Sequence, residues 1–173
     1  SSADVLVNMT HHLTEDGQGA FIWTGPYGSG KSSLVVALSG LLSPDPSLVK
    51  MASEAIGKET TELIHKAMPP REKGWTIIPV VGRRENPVVV IGNTIEAMGF
   101  GKPLKTGWSE SHLVSTLEKI AQSNPQKMGG VILFLDEMGK FLEDATHNGG
   151  DVYVFQQLAE AASRSNKRLI IVG

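Results

Sequence analysis

The 173-residue chain contains no cysteine, which excludes disulfide bonds, thiolate metal sites and cysteine nucleophiles and is compatible with a reducing, cytoplasmic location. No apolar run approaches the roughly 20 residues that a membrane-spanning helix needs, and no secretory signal pattern opens the chain. Aromatic residues make up only 6% of the sequence. The three tryptophans, Trp23, Trp75 and Trp108, are too scattered to predict a platform on which bases stack.

Neither the net charge nor the histidines indicate a nucleic-acid or metal site. The formal net charge is −2, so the chain as a whole lacks the basic character typical of nucleic-acid-binding proteins, and only a local basic patch is left open. The chain has five histidines: His11, His12, His65, His112 and His147. None of them lies in the H-E-x-x-H pattern of a zinc site. A metal site built from protein ligands alone is therefore not indicated.

The length fits one domain, which would bury about 70% of the surface that its unfolded chain exposes. The first residue is not methionine, and the last segment, Arg168–Gly173, has the composition of a strand. We therefore expect residues 1–173 to be one domain cut from a longer protein whose missing part carries further functional residues.

The most informative segment is Gly25-Pro26-Tyr27-Gly28-Ser29-Gly30-Lys31-Ser32, a complete G-x-x-x-x-G-K-[ST] phosphate-binding loop (Walker A). Its glycines let backbone N–H groups curl around phosphates, and the amides of the following helix add their dipole to the anion site. Lys31 is expected to neutralise the β- and γ-phosphates during catalysis, and the Ser32 hydroxyl to ligate Mg²⁺. We assign nucleotide binding to these eight residues and to the adjoining Ser33.

A second motif lies about one hundred residues further along the chain. The apolar run Val131–Leu135 predicts a buried strand, and Asp136 and Glu137 follow it directly (Walker B). A parallel strand delivers its carboxyl end to the edge of the sheet where the phosphate-binding loop also lies. Asp136 is therefore expected to support Mg²⁺, usually through water, and Glu137 to orient and deprotonate the attacking water.

Apolar periodicity predicts strands alternating with helices, and therefore an α/β fold with a mostly parallel sheet sandwiched by helices. Strands are predicted at 20–24, 75–82, 131–135 and 168–172, and helices at 2–14, 32–42, 47–68, 86–98, 111–123 and 151–165. The segment 88–91 is β-branched and leaves a strand open as the alternative to helix there. Pro79 cannot donate to a ladder, so it predicts an edge strand or a bulge.

Two neighbouring enzyme classes fit less well. Asp136-Glu137-Met138-Gly139 matches the D-x-x-G of GTPases by letter. Those proteins also need a base-reading Asn-Lys-x-Asp, and the only candidate here, Asn166-Lys167-Arg168-Leu169, has Leu169 in place of the Asp. Small-molecule kinases share the phosphate-binding loop, but a water-activating Glu137 would waste their triphosphate. A kinase nevertheless remains one alternative, and a nucleotide-gated switch or scaffold with negligible hydrolysis is another.

Together, the strand–loop–helix at 20–42 and the Asp-Glu strand at 131–137 resemble the additional-strand P-loop ATPases, in particular the AAA+ and STAND groups. The resemblance implies Mg²⁺-dependent ATP hydrolysis that powers or gates the rearrangement of a larger assembly, with further domains and a homo-oligomer or multiprotein complex as partners. It also implies that residues 2–14 pack near adenine, and that the sensor, arginine finger and helical lid follow Gly173. The local sequences of 136–143 and 151–160 are similar to those of large ATPases of BREX-type phage-defence islands. This similarity leaves nucleic acid open as a partner.

Several basic residues invite a functional interpretation but have a simpler one. Arg83 and Arg84 follow the 75–82 strand and would reach nucleic acid or a neighbouring subunit's nucleotide, although an Arg pair at a strand end is more often solvated or ion-paired. Arg164, Lys167 and Arg168 lie near a helix C-terminus, where cations favour the helix dipole. His147-Asn148-Gly149-Gly150 is typical of an ordinary connector.

Overall fold

The computed structural model describes residues 2–23, 30–148 and 152–173. Within them, four strands form one sheet: β1 (Ala20–Phe21), β2 (Thr76–Val81), β3 (Val131–Asp136) and β4 (Leu169–Val172). All pairings are parallel, and the strand order is β1-β4-β3-β2. The sheet therefore places β4, the last strand in sequence, between the first strand and the strand that ends in Asp136.

Eight helices surround this sheet in the described residues: α1 (Ser2–Asp16), α2 (Lys31–Leu41), α3 (Pro46–Ile56), α4 (Lys58–Ala67), α5 (Pro87–Ala97), α6 (Glu110–Gln122), α7 (Met138–Asn148) and α8 (Tyr153–Ser163). One core cluster joins α1–α4 to Ile132, Phe134, Ile170 and Val172 on one face of the sheet. A second cluster joins α5, α6, α7 and α8 to the alternate strand residues on the other face. The predicted α/β architecture with helices on both faces is thus confirmed.

Local capping explains where several helices begin. The side chain of Asn86 accepts a hydrogen bond of 2.9 Å from the backbone N–H of Val88, and Pro87 occupies the first helical position of α5. This pairing of cap and proline favours helix over strand for 86–98, and helix is what the structure has. Asp45, again with a following proline, caps α3 through the N–H of Ser47, and Ser109 caps α6 through the N–H of His112.

The position of Pro79 also agrees with its chemistry. β2 lies at one edge of the sheet and pairs only with β3 among the described strands, with Pro79 opposite Phe134. A residue without an N–H loses nothing at such an edge, because no strand of the described residues lies on its outer side. The prediction of an edge strand is therefore confirmed.

Two predicted elements need correction, and one helix was missed. The pattern at 47–68 is two helices, because Gly57 has a φ of 106° that an α-helix cannot contain, and it ends α3 before α4 begins. Of the strand expected at 20–24, Ala20–Phe21 is a strand, half-buried at the sheet edge, and Ile22 beyond it is 70% exposed, while Thr24 lies outside the described residues. Helix α7 was not predicted at all, although Phe141, which it buries completely, belongs to the second core cluster.

Two of the basic residues near the end of α8, Arg164 and Arg168, contact other parts of the fold, and their interaction with the helix dipole stays a prediction. Arg168 donates from its guanidinium to the carbonyl oxygens of Ala121, Met128 and Gly129 at 2.7–3.0 Å. Arg164 pairs with Glu118 at 2.8 Å. Arg168 thereby ties the end of α6 and the turn before β3 to the start of β4. Across the described residues, no helix is long and apolar enough to cross a bilayer.

Candidate functional site

The candidate site lies at the carboxyl edge of the parallel sheet, where α2 begins and β3 ends. Five residues of the predicted phosphate-binding loop, Gly25, Pro26, Tyr27, Gly28 and Ser29, lie outside the described residues. The structure describes the remaining motif residues, Gly30, Lys31, Ser32 and Ser33.

Gly30 sets the start of α2. Its backbone is left-handed, with φ 86° and ψ 11°, which a residue with a Cβ adopts only at a cost. Its carbonyl accepts the first helical hydrogen bond, from the N–H of Leu34 at 3.0 Å. Because glycine has no side chain, no cap side chain covers the first amides of α2, in contrast to the caps of α3, α5 and α6. These amides at the positive end of the helix dipole are the groups that bind an anion.

Residues from both sequence motifs line one cavity. Lys31 and Ser32 of α2 share a cavity of about 240 Å³ with Asp136 at the end of β3. The remaining lining is mainly apolar and comes from α2 and from the ends of β2, β3 and β4: Val35, Val36, Pro79, Val80, Val81, Phe134, Leu135 and Val172. The fold therefore brings together a cation, a hydroxyl and a carboxylate that are far apart in sequence.

The turn after β3 holds both carboxylates in a defined backbone conformation. Glu137 has a φ of 52°, in the left-handed region that non-glycine residues rarely adopt. Gly82 donates its N–H to the Asp136 carbonyl at 2.7 Å. The N–H of Glu137 donates to Oδ1 of Asp136 at 2.9 Å. Such strained positions concentrate at functional sites.

The carboxylate of Glu137 is engaged by a residue that the sequence interpretation did not single out. Lys140, in the first turn of α7, places its Nζ 2.9 Å from Oε2 of Glu137. Both side chains are about half exposed, and ion pairs of this kind contribute about 0–1 kcal/mol. Little free energy is therefore needed to break the contact between Lys140 and Glu137.

A second and larger cavity adjoins the first. Its volume is about 430 Å³, and it lies between α1, the end of β1 and the start of α2. Val5, Asn8, Met9 and His12 line it from one face of α1, and Lys31 lines it from the side of the phosphate-binding motif. This places α1 beside the motif, as the expectation for residues 2–14 requires.

Of the other residues that the sequence singled out, Trp23 lines the larger cavity, whereas Arg84, His65 and His112 line neither cavity and contact other groups. Arg84 pairs with Glu143 at 3.0 Å, and His65 bonds the carbonyl of Leu41 at 2.7 Å. His112 stacks on Trp108 with ring centroids 5.0 Å apart. Within residues 2–23, 30–148 and 152–173, no three His, Asp or Glu side chains are grouped as a metal site. The connector at 147–150 lies partly outside the described residues.

Two contributors to the site, Lys140 and Gly82, were missed from sequence, and only Lys140 had a signal there. The spacing of Met138, Phe141, Leu142 and Ala145 is helical, which would have predicted α7 and put Lys140 one turn from Glu137. Gly82 directly follows a strand, and a Cβ there would meet the carbonyl oxygen of Glu137. Only the strand order shows that Gly82 lies beside the Asp-Glu turn.

Comparisons of the chain with protein-family models, with curated proteins and with solved structures found no match. A function is therefore inferred from the residues of this chain and their geometry.

Proposed function

We propose that this chain is the core of an additional-strand P-loop ATPase, which binds Mg²⁺-ATP through Lys31, Ser32 and the preceding loop and hydrolyses it with Glu137 as the base. The observation that carries the proposal is the shared cavity of Lys31, Ser32 and Asp136. Two motifs of independent chemistry, about one hundred residues apart, meet there at the carboxyl edge of a parallel sheet. Ligands of open α/β sheets bind at this edge.

The strand order gives separate support. In the group that the sequence resembles, an additional strand separates the strand before the phosphate-binding loop from the strand that ends in Asp-Glu. Here β4 lies between β1 and β3. The end of β4 lies close to the Asp-Glu turn, since a Cβ on Gly173 would meet the sulfur of Met138. Gly173, directly after β4, thus lies beside the turn that carries the proposed base.

The donor groups at this edge suit magnesium. Mg²⁺ prefers oxygen ligands and keeps several waters, so the Ser32 hydroxyl and the Asp136 carboxylate would hold it together with phosphate oxygens. When bound, the ion neutralises charge that develops on the phosphates. Lys31 adds a positive charge on the same side of the cavity, and the uncapped amides of α2 bind phosphate oxygens.

Glu137 is the group that takes a proton from water. To act as a base, its carboxylate needs an oxygen directed at the attacking water, and in the structure Oε2 is directed at Lys140. Rotation of the Glu137 side chain, or use of its other oxygen, satisfies this requirement at little cost because the pair is exposed. We infer that Lys140 releases Glu137 when nucleotide and water occupy the site.

The larger cavity suits the nucleotide base. At about 430 Å³ it falls within the usual range of small-molecule sites, and Lys31 belongs to its wall. Apolar side chains of Val5, Met9 and Ile22 are available to cover a ring, and Asn8 and Gln18 to bond its edge. This supports ATP as the ligand, with α1 beside adenine.

The same proposal extends to partners. ATP turnover by such a core would power or gate the rearrangement of a larger assembly, made of further domains of the protein and of a homo-oligomer or multiprotein complex. A cytoplasmic location and a role in phage defence of the BREX type remain predictions from sequence.

A nucleotide-gated switch with negligible hydrolysis is the second candidate, because Lys140 occupies the carboxylate of the proposed base. Release of phosphate from ATP distinguishes the two. We expect the chain to release phosphate from ATP with Mg²⁺ and much less phosphate from GTP. Phosphate release should cease when EDTA removes the metal. Tight ATP binding without phosphate release would favour the switch, and transfer of phosphate to an acceptor other than water would favour the kinase.

A further inference from the structure

The end of the sheet opposite the candidate site carries a concentration of positive charge. Three loops meet there: 69–74 before β2, 123–130 before β3 and 163–168 before β4. They contain six of the chain's sixteen basic residues but only one of its eighteen acidic residues. A chain with a net charge of −2 therefore has one strongly basic end and a remainder that is distinctly acidic.

Backbone hydrogen bonds join these loops into one continuous surface. Lys73 donates its N–H to the carbonyl of Lys127 at 2.9 Å, and Val131 donates to the carbonyl of Arg168 at 2.7 Å. Burial, and to a lesser extent the nearby positive charge of Arg71, lowers the pKa of the Arg168 guanidinium. Arg164 pairs with Glu118, and we call the other five basic side chains on these loops the basic surface: Arg71, Lys73, Lys127, Lys167 and Arg168.

Little in the fold neutralises the basic surface. Across the parts of the chain that the structure describes, Arg71, Lys73, Lys127 and Lys167 have no ion pair. The nearby carboxylate of Asp45 is engaged in capping α3, through the N–H and hydroxyl of Ser47. Like charges placed together are unfavourable for folding, so their juxtaposition suits a partner that supplies negative charge.

The backbone presents two of these side chains in an unusual conformation. Arg71 and Lys167 have φ angles of 55° and 63°, and Asn124 and Asn166 in the same loops are left-handed as well. Apart from Glu137, these are all the non-glycine residues with positive φ in the described part of the chain. Such conformations are retained where surrounding structure or function holds them.

We propose that the basic surface binds the phosphate backbone of a nucleic-acid duplex. Interfaces with proteins have an apolar centre, whereas none of the large exposed apolar side chains lies on these three loops. Binding to single strands relies on stacking on aromatic rings, and Trp75, the only aromatic residue of this end, is 6% exposed. Arginine, lysine and amide side chains without exposed rings suit phosphate contacts, which are independent of base sequence.

This proposal goes beyond ATP hydrolysis and does not depend on it. The basic surface lies at the amino ends of the strands, and the nucleotide cavities at their carboxyl ends, one strand length away. A six-residue strand spans about 20 Å. Duplex binding measured without nucleotide therefore tests the basic surface separately from the ATPase assignment.

The test is fluorescence anisotropy of a labelled 20-base-pair DNA duplex titrated with the chain in the absence of nucleotide. We expect micromolar binding at low salt, and a decrease on the order of 10²-fold between 50 and 200 mM salt, as about four phosphate contacts predict. Replacing Arg71, Lys73, Lys127 and Lys167 together by Gln should weaken binding at least about 10-fold and lower the salt slope by about 3–4. Arg168 is kept, since its guanidinium holds the fold.

A matched variant with the same net charge serves as control. Replacing the exposed residues Lys50, Lys58, Lys102 and Lys105 by Gln should change duplex affinity less than about two-fold, since these lysines lie off the basic surface. Equal losses in the two variants, tighter binding of a single strand, or no binding of the duplex at 50 mM salt would each overturn the proposal. So would sedimentation showing that the surface variant changes only self-association. Thermal melting confirms that both variants fold.

Discussion

Replacing Glu137 by Gln is expected to lower the turnover of ATP by about 10²–10⁴-fold and to leave ATP affinity unchanged. The amide keeps the size of the side chain but cannot accept the proton of the attacking water. The proposed phosphate and metal contacts do not include Glu137, because Lys31, Ser32 and Asp136 line the neighbouring cavity without it. Phosphate release and equilibrium ATP binding, measured on the same preparation, separate the two effects.

Glu143→Gln is the matched control for that substitution. Glu143 lies on α7 and pairs with Arg84 at 3.0 Å, about as close as Glu137 lies to Lys140. Its replacement removes an exposed ion pair of the same kind but leaves the nucleotide cavities untouched, so turnover should stay within about two-fold. Undiminished turnover in Glu137→Gln, or equal losses in both variants, would contradict the assignment of Glu137 as the base.

Gly82→Ala is expected to destabilise the chain by about 1–3 kcal/mol and to lower ATP turnover more than 10-fold. Gly82 is buried against the turn that carries the carboxylates, and a Cβ there would meet the carbonyl oxygen of Glu137 and lie 3.1 Å from that of Asp136. Those contacts are backbone atoms, which cannot rotate away as a side chain would. The turn must shift, and the hydrogen bond from Gly82 to Asp136 shifts with it. Urea unfolding and phosphate release measure the two consequences.

Gly139→Ala gives the control two residues beyond Glu137. A Cβ at Gly139 meets nothing within 4 Å, and the residue lies within α7. Alanine favours helix over glycine by about 0.5–1 kcal/mol, so this variant should be as stable as the parent or more stable, with turnover retained. If Gly82→Ala unfolded at the same urea concentration as Gly139→Ala and kept full turnover, the close packing of β2 on the Asp-Glu turn would be wrong.

Features with a local cause could be predicted from the sequence. Asn86 followed by Pro87 predicted the start of α5, and Pro79 predicted an edge strand, because each residue acts through its own backbone chemistry. The apolar run before Asp136 predicted β3 because a continuous apolar segment favours a buried strand. The split at Gly57 also has a local cause, but the apolar spacing on both sides hid it.

Features that depend on distant contacts could not be predicted in this way. The strand order β1-β4-β3-β2 and the proximity of Gly82 to Glu137 arise from pairing between segments far apart in sequence. The basic surface has the same origin. Each of its three loops has only one to three cations, and the overall charge of −2 gives no sign of them. The fold alone brings them to one end.

Calorimetric titration of Mg²⁺-ATP into the chain and into its Lys31→Ala variant tests the central claim, a nucleotide site at the start of α2, most directly. The matched control is Lys58→Ala, since Lys58 begins α4 directly after Gly57, as Lys31 begins α2 directly after Gly30. We predict micromolar ATP affinity in the parent and in Lys58→Ala, weaker binding of GTP, and a loss of about 100-fold or more in Lys31→Ala, because a charge-assisted contact to phosphate disappears. Equal ATP affinity in the parent and in Lys31→Ala, or no binding of either nucleotide, would contradict the account.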